Sequence, residues 1–301
     1  MKKELRVDCW SSYRLYLQSE GMGPGAKLDQ KAIPGGERVS RLRDACERDP
    51  YTPWESLTRT ERQIALHHIL VNEKQNILYC YVPKVACSNW KRVITVLDGN
   101  ASDTETIKAV NHEGFKRLSS FSAEEIRYRL QNYYKFMFVR NPLDRLVSAY
   151  KDKLTGDNGY YFETYVKLMI NKFRNKYEDT KAPPPGTKGA TITEFFRYLT
   201  TTQLAAMDEH WMPYNLLCQP CIFNYDFIGS MENLDEDAEE VLRLMNVNDL
   251  VRFPRKQRMY TERAHNPSTA ELLSQIPKTM LRSIVHIYRR DFDLFSYEKP
   301  Q

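Results

Sequence analysis

The run Ile77-Leu-Tyr-Cys-Tyr-Val82 is aliphatic and aromatic at every position, stops at Pro83, and is followed from Ser88 by a helical pattern. A run of that length and composition reads as a buried strand. Behind it, Trp90, Val93, Ile94 and Leu97 share one helical face, and Gly99 stands where a helix would end. The same grammar returns at Lys135-Phe-Met-Phe-Val139. There Asn141-Pro142 reads as an N-cap followed by proline in the first turn, opening a helix through Leu143, Leu146, Val147, Tyr150 and Leu154. Two strand–loop–helix units in succession imply an α/β fold with a mainly parallel sheet flanked by helices. In that architecture ligands gather at the carboxyl ends of the strands, where both polar loops lie.

The remaining elements follow from local signals. A helix is expected near Thr58 to Leu70, another from the capping box Ser122-Ala-Glu-Glu125 to about Asn132, and a third over Thr191 to Thr200. Lys181 to Gly189 is proline- and glycine-rich and reads as a loop. A short strand is expected at Cys221 to Ile228, then a helix carrying Leu234, Ala238, Val241, Leu242 and Met245, and a last capping box at Ser268-Thr-Ala-Glu271. Residues 1–55 mix charge with Gly21-Met-Gly-Pro-Gly25 and Pro34-Gly35-Gly36 and read as an irregular N-terminal arm of unknown role. Residues 56–301 form the expected catalytic domain, long enough to bury a core without help from disulfides.

Charge and cysteine narrow the partners. From Val251 to Arg290, nine Lys or Arg face two Glu, a segment that would draw in a polyanion: nucleic acid, an anionic polysaccharide or a phosphorylated cofactor. A plain basic surface accounts for it equally well. The six cysteines permit disulfides. Cys218-Gln-Pro-Cys221 has no second Cys or His pair at ligand spacing, so no metal is expected. Met1 to Glu20 holds no long apolar run, and neither a signal peptide nor a membrane anchor is expected within the chain.

Pro83-Lys84-Val85-Ala86-Cys87-Ser88-Asn89-Trp90 sits between a buried strand and a helix start. The first N–H groups of a helix lack internal acceptors and, with the helix dipole, favour an anion. Lys84 adds a full charge and Ser88 a hydroxyl. A Walker loop requires glycines before Gly-Lys-Ser/Thr, and this loop has none, which argues against a nucleotide kinase. Taken alone, the same residues also describe a capped turn with a surface lysine.

Tyr79-Cys-Tyr-Val-Pro-Lys-Val-Ala-Cys-Ser-Asn-Trp-Lys-Arg92 resembles the 5′-phosphosulfate loop of the Golgi carbohydrate sulfotransferases. Phe138-Val-Arg-Asn-Pro-Leu-Asp-Arg-Leu-Val-Ser-Ala-Tyr150 resembles their 3′-phosphate motif, with Arg140 and Ser148 at the phosphate-holding positions. Glu209-His-Trp-Met-Pro213, Leu217-Cys-Gln-Pro-Cys221 and Tyr225-Asp-Phe-Ile-Gly229 extend the similarity over about Thr58 to Tyr297. The resemblance is to the group that sulfates chondroitin, dermatan, terminal N-acetylgalactosamine or the HNK-1 glucuronic acid epitope. It implies the sulfotransferase fold, related to nucleotide kinases, with 3′-phosphoadenosine 5′-phosphosulfate (PAPS) as donor, a glycan acceptor, no nucleic acid partner, no metal, and a Golgi-lumen enzyme. The 4-hydroxyl of N-acetylgalactosamine is the favoured acceptor position. A glucuronic acid 3-O-sulfotransferase and a non-catalytic glycan-binding relative are the alternatives. Family members carry a membrane anchor that this chain does not show.

The resemblance further implies that Pro83 to Trp90, Arg140 and Ser148 bind the donor, that Arg263 belongs to a loop closing over it, and that Cys218 and Cys221 are disulfide-bonded. Of six histidines, His67, His68 and His286 read as packing or surface, and His265 lies in the closing loop. His112 occupies the topological position of the family's catalytic base. His210, beside Trp211 and Glu209, reads as acceptor recognition, with the Trp211 ring stacked on a sugar. Histidine suits a base because its ordinary pKa of roughly 6.5 leaves it largely neutral near neutrality.

Overall fold

The structure is a computed structural model, and it describes residues 33–49, 51–156, 159–180, 183, 188–254 and 267–300. Its helices are α1 (Gly35–Arg48), α2 (Arg59–His67), α3 (Cys87–Leu97), α4 (Ala123–Asn132), α5 (Pro142–Lys153), α6 (Ile192–Thr200), α7 (Leu234–Leu244) and α8 (Lys278–Ile287), joined by shorter helical turns. Its strands are β1 (Ile69–Asn72), β2 (Ile77–Cys80), β3 (Tyr134–Val139) and β4 (Phe227–Ser230), in the order β1-β2-β3-β4. β2, β3 and β4 run parallel, and β1 is antiparallel to β2. The expected α/β architecture is present.

All four β2 residues are buried, and Tyr79, Trp90, Phe136 and Phe138 form one aromatic cluster with neighbouring ring centroids 4.8 to 6.3 Å apart. This cluster fastens α3 to the sheet, so the loop between β2 and α3 is held at both ends. The capping boxes at Thr58, Ser122, Thr191 and Ser268 all form, as does the Asn141 cap over Leu143 and Asp144.

Three expectations need correction. The helix from Thr58 ends at His67, and Ile69-Leu-Val71 leaves it to become an edge strand. The β1–β2 turn is closed by Asn72 Oδ1 accepting from Gln75 N–H at 2.8 Å and by Asn76 at φ +55°. The strand expected at Cys221 starts only at Phe227. Pro220–Phe223 is a helical turn bracketed by left-handed Gln219 and Asn224, geometry that a strand does not admit.

The third correction concerns the N-terminal arm, which from Gly35 is not irregular. α1 buries Arg38, Val39, Leu42 and Ala45 along one stripe, and packs mainly on β4, with further contacts to the Pro220–Phe223 turn and to Arg289–Leu294. Gly35 lies so close to Phe227 that an added Cβ would meet the ring at 2.2 Å. Arg38 donates to Asp237 at 2.6 Å and to the Ile228 carbonyl at 3.3 Å, both inside the core. A disulfide joins Cys46 to Cys221, and a second joins Cys80 to Cys218. Both cysteines of the Cys-Gln-Pro-Cys motif are therefore structural, one tying down α1 and the other the end of β2.

Candidate active site

The loop after β2 takes backbone conformations usually left to glycine, with Lys84 at φ +69° and Ala86 at φ +53°. Non-glycine residues persist there only when their surroundings hold them. Arg145 donates from Nε to the Pro83 carbonyl at 3.1 Å, and Arg140 from Nη1 to the Lys84 carbonyl at 3.5 Å. The Asn89 and Trp90 N–H groups return to the Ala86 carbonyl, so the Cys87 and Ser88 N–H groups are the first-turn donors left to face an anion. Lys84 Nζ reaches Asp152 Oδ2 on α5 at 3.0 Å, and Lys153 shares that carboxylate at 3.3 Å. Burial raises the Asp152 pKa, but the Lys84 charge and hydrogen bond outweigh it and hold the carboxyl below its ordinary value.

Arg140 caps β3, the parallel neighbour of β2, and Tyr214 Oη bridges its N–H and C=O at 3.0 and 2.9 Å. The guanidinium and the Lys84 loop thereby meet at the carboxyl edge of the sheet. Ser148 stands half-buried on α5, two turns along. Val85 and Trp90, expected to bind the donor with the rest of their loop, have fully buried side chains that belong to the core. Arg263 and His265 lie outside the described residues.

Arg145, three residues before Ser148, is almost wholly buried. Its guanidinium donates to Pro83 O, to Met212 O at 2.7 Å and to Glu209 O at 2.8 Å, and stacks 4.9 Å from the Tyr214 ring centre. One side chain thus joins the phosphate-type loop to the segment Asp208–Met212, a role that motif inspection did not single out.

On that segment Glu209 Oε2 accepts from Tyr81 Oη at 3.0 Å and lies 3.1 Å from His68 Nε2. Burial pushes its pKa up, but the His68 hydrogen bond and charge, His210 and Tyr81 override this and hold it down at about 2. His68, read from sequence as packing or surface, is buried against Tyr81 as a packing residue and in addition holds the Glu209 carboxylate. That second contact was hidden because the partner lies 141 residues away. Arg117 donates to Tyr81 Oη at 3.0 Å and to the His112 carbonyl at 3.2 Å, fixing the loop that carries His112. His112 Nδ1 lies 3.0 Å from Lys91 Nζ on α3.

His210 is held by Asp208 Oδ1 at 2.7 Å and Tyr161 Oη at 3.0 Å, both at Nδ1. An ionised carboxylate only accepts, so Nδ1 carries a proton, and among the described residues no hydrogen bond engages Nε2. Trp211 is not available to a sugar: it is fully buried among Tyr165, Phe195 and Tyr198. The exposed ring nearby is Tyr160, packed edge-on against Tyr161, over which Lys153 Nζ sits at 4.9 Å.

The arrangement offers a cationic anion cradle at one strand-end loop, an arginine at the next, and beside them a polar wall of His68, Tyr81, Lys91, His112, Arg117, Glu209 and His210. A profile of the sulfotransferase family spans residues 67–298. Carbohydrate sulfotransferase 14 of Mus musculus is 41% identical over 267 residues, covering 87% of this chain and 69% of the relative. The Danio rerio protein of the same name is 42% identical over 256 residues, covering 83% and 67%. Carbohydrate sulfotransferase 9 of Homo sapiens is 38% identical over 239 residues, covering 77% and 53%. No solved structure gives a significant match. Among the described residues no helix is long and apolar enough to cross a membrane. The strand-end site and these relatives agree, and the chain belongs to the sulfotransferase family, as an enzyme of its carbohydrate sulfotransferases.

Proposed function

We propose that the protein transfers the sulfuryl group of PAPS to the 4-hydroxyl of N-acetylgalactosamine in chondroitin or dermatan, in the Golgi lumen. The observation that carries the donor assignment is the meeting of the Lys84 loop and Arg140 at the ends of two adjacent parallel strands. The residues fit a doubly phosphorylated donor. Lys84, the Cys87 and Ser88 N–H groups and the Ser88 hydroxyl suit the phosphosulfate, while Arg140 and Ser148 suit the 3′-phosphate that separates PAPS from ATP. The acceptor assignment rests on the resemblance of the Glu209-His-Trp211 and Leu217-Cys-Gln-Pro-Cys221 motifs to those of the chondroitin and dermatan 4-O-sulfotransferases. A non-catalytic glycan binder has no use for an intact Lys84, Arg140 and Ser148.

Sulfuryl transfer, like phosphoryl transfer, asks the protein chiefly to position reactants and stabilise charge. Lys84 and the loop donors stabilise charge on the leaving phosphate oxygen, and its ion pair with Asp152 keeps the lysine poised until an anion replaces the carboxylate. His112 is the base that takes the proton of the acceptor hydroxyl. Glu209, ionised and fixed by His68 and Tyr81, orients neighbouring hydroxyls. A second reading gives the base to His210, because Asp208 and Tyr161 hold its Nδ1 and leave Nε2 without a partner among the described residues.

Two measurements test this. The nucleotide product 3′-phosphoadenosine 5′-phosphate (PAP) is expected to raise the melting temperature, with ATP far less effective; equal shifts would contradict the donor assignment. His112→Ala is expected to lower turnover about 10²-fold or more without changing PAP affinity, and His210→Ala mainly to raise the acceptor KM. Near-normal turnover in His112→Ala would move the base to His210.

A further inference from the structure

Lys91 is a lysine in an unusual place. It lies one turn into α3, is 3% exposed, and among the described residues no carboxylate comes within ion-pair distance of it. Its Nζ has His112 Nδ1 at 3.0 Å and the Tyr81 ring centre at 4.2 Å, with Phe115 beyond at 5.8 Å. This contact bears directly on the assignment of His112 as base, on which the following inference rests. A lysine ammonium has only protons to give, so it would make Nδ1 an acceptor and place the ring proton on Nε2. In that tautomer Nε2 cannot take a proton from the acceptor hydroxyl. A neutral amine reverses the bond: Nδ1–H donates to Nζ, and Nε2 is bare.

We propose that Lys91 and His112 form a proton relay in which Lys91 is the terminal acceptor. As the acceptor oxygen bonds to sulfur and the sulfur–phosphate oxygen bond breaks, its O–H proton passes to His112 Nε2. The Nδ1 proton passes to Lys91 Nζ. The electron pair of the broken bond stays on the phosphate oxygen, and the proton count closes on a Lys91 ammonium beside a neutral imidazole. The surroundings suit both ends of the transfer. Before it, burial lowers the pKa of Lys91 and that of His112 alike. After it, the new ammonium lies over the face of Tyr81 and within the field of Glu209. The other charged or titratable groups facing the pair are Cys87 on α3, Glu113 and Arg117 on the His112 loop, and Lys153 on α5.

The relay makes a prediction opposite in order to that of a charge-stabilising lysine. Lys91→Met leaves His112 free to work alone and is expected to slow turnover roughly tenfold, whereas Lys91→Arg fixes a cation against Nδ1 and is expected to cost about 10² or more. The reverse order, or near-normal turnover in both, overturns the relay, provided PAP still raises each variant's melting temperature. Nitrogen-15 spectra of the histidine side chains in the wild-type PAP complex supply a readout that needs no variant to fold, with His112 identified by its absence in His112→Ala. Protonated Nδ1 with bare Nε2 is expected, and protonated Nε2 with bare Nδ1 overturns the relay. Fast turnover in His112→Ala would instead remove the base assignment itself, whereas slow His112→Ala with near-normal Lys91 variants would remove only the relay.

Discussion

Lys84 sits on a left-handed backbone that costs a non-glycine residue energy, and two arginines hold the carbonyls on either side of its N–H. Under the proposed chemistry, Lys84→Ala removes one charge-assisted contact at the reacting centre. Turnover is then expected to fall by about 10² to 10³, or about 3 to 4 kcal/mol, while the melting temperature without ligand stays close to wild type. A variant retaining a tenth of the activity would refute that role. Arg140→Ala is expected to weaken PAP binding more than Ser148→Ala in calorimetry, because a charged contact to phosphate outweighs a neutral one. Glu209 gives a pH test. Its pKa is depressed when folded, so its contribution to stability is present above its ordinary range and is lost as pH falls toward about 2. The stability gap between wild type and Glu209→Gln is therefore expected to close on acidification, and a gap that widened would contradict the His68 and Tyr81 contacts. The places of Lys84, Arg140 and Ser148 in the fold were legible because each sits at a fixed offset from a strand end. His68, Lys91 and Arg145 were not, since each is defined by a partner distant in sequence or by a buried acceptor that no local pattern displays.

Among the elements, the two disulfides divide the labour of holding the site. Cys46–Cys221 closes a separation of 175 residues and fastens α1 beneath β4, while Cys80–Cys218 closes one of 138 residues at the last residue of β2. Replacing Cys46 and Cys221 together by Ser is expected to lower unfolding free energy by about 2 to 4 kcal/mol with PAP affinity retained. The Cys80 and Cys218 pair is expected to cost a similar amount and also to weaken PAP binding, since it anchors the strand that launches the Lys84 loop. Denaturant unfolding and calorimetry check both, and an unchanged unfolding midpoint in either double variant would contradict the account. Strands β2 and β3 and the capped helices were readable from sequence because their signals are local. α1 was obscured by Pro34-Gly35-Gly36, although Val39, Leu42 and Ala45 carry its stripe. β1 was absorbed into a helical pattern because an edge strand is defined by the neighbour it pairs with.

For the whole molecule, register explains why two motifs more than fifty residues apart make one site: Tyr79 pairs with Phe136 and Cys80 with Met137, so β2 and β3 end side by side. The acceptor wall is assembled differently, from the His112 loop, bridged to β1 through Leu70 and Arg117, and from Asp208–Met212, held by Arg145. That convergence is tertiary and was invisible in the chain. Under the proposed function it is also where acceptor choice resides, because the donor side fixes only the nucleotide. The most direct test is to incubate the protein with labelled PAPS and a panel of desulfated glycans, digest the products to disaccharides, and locate the label. The expected result is label on the 4-hydroxyl of N-acetylgalactosamine from chondroitin or dermatan, abolished in Lys84→Ala. Label on glucuronic acid, or no transfer to any glycan by protein that binds PAP, would contradict it.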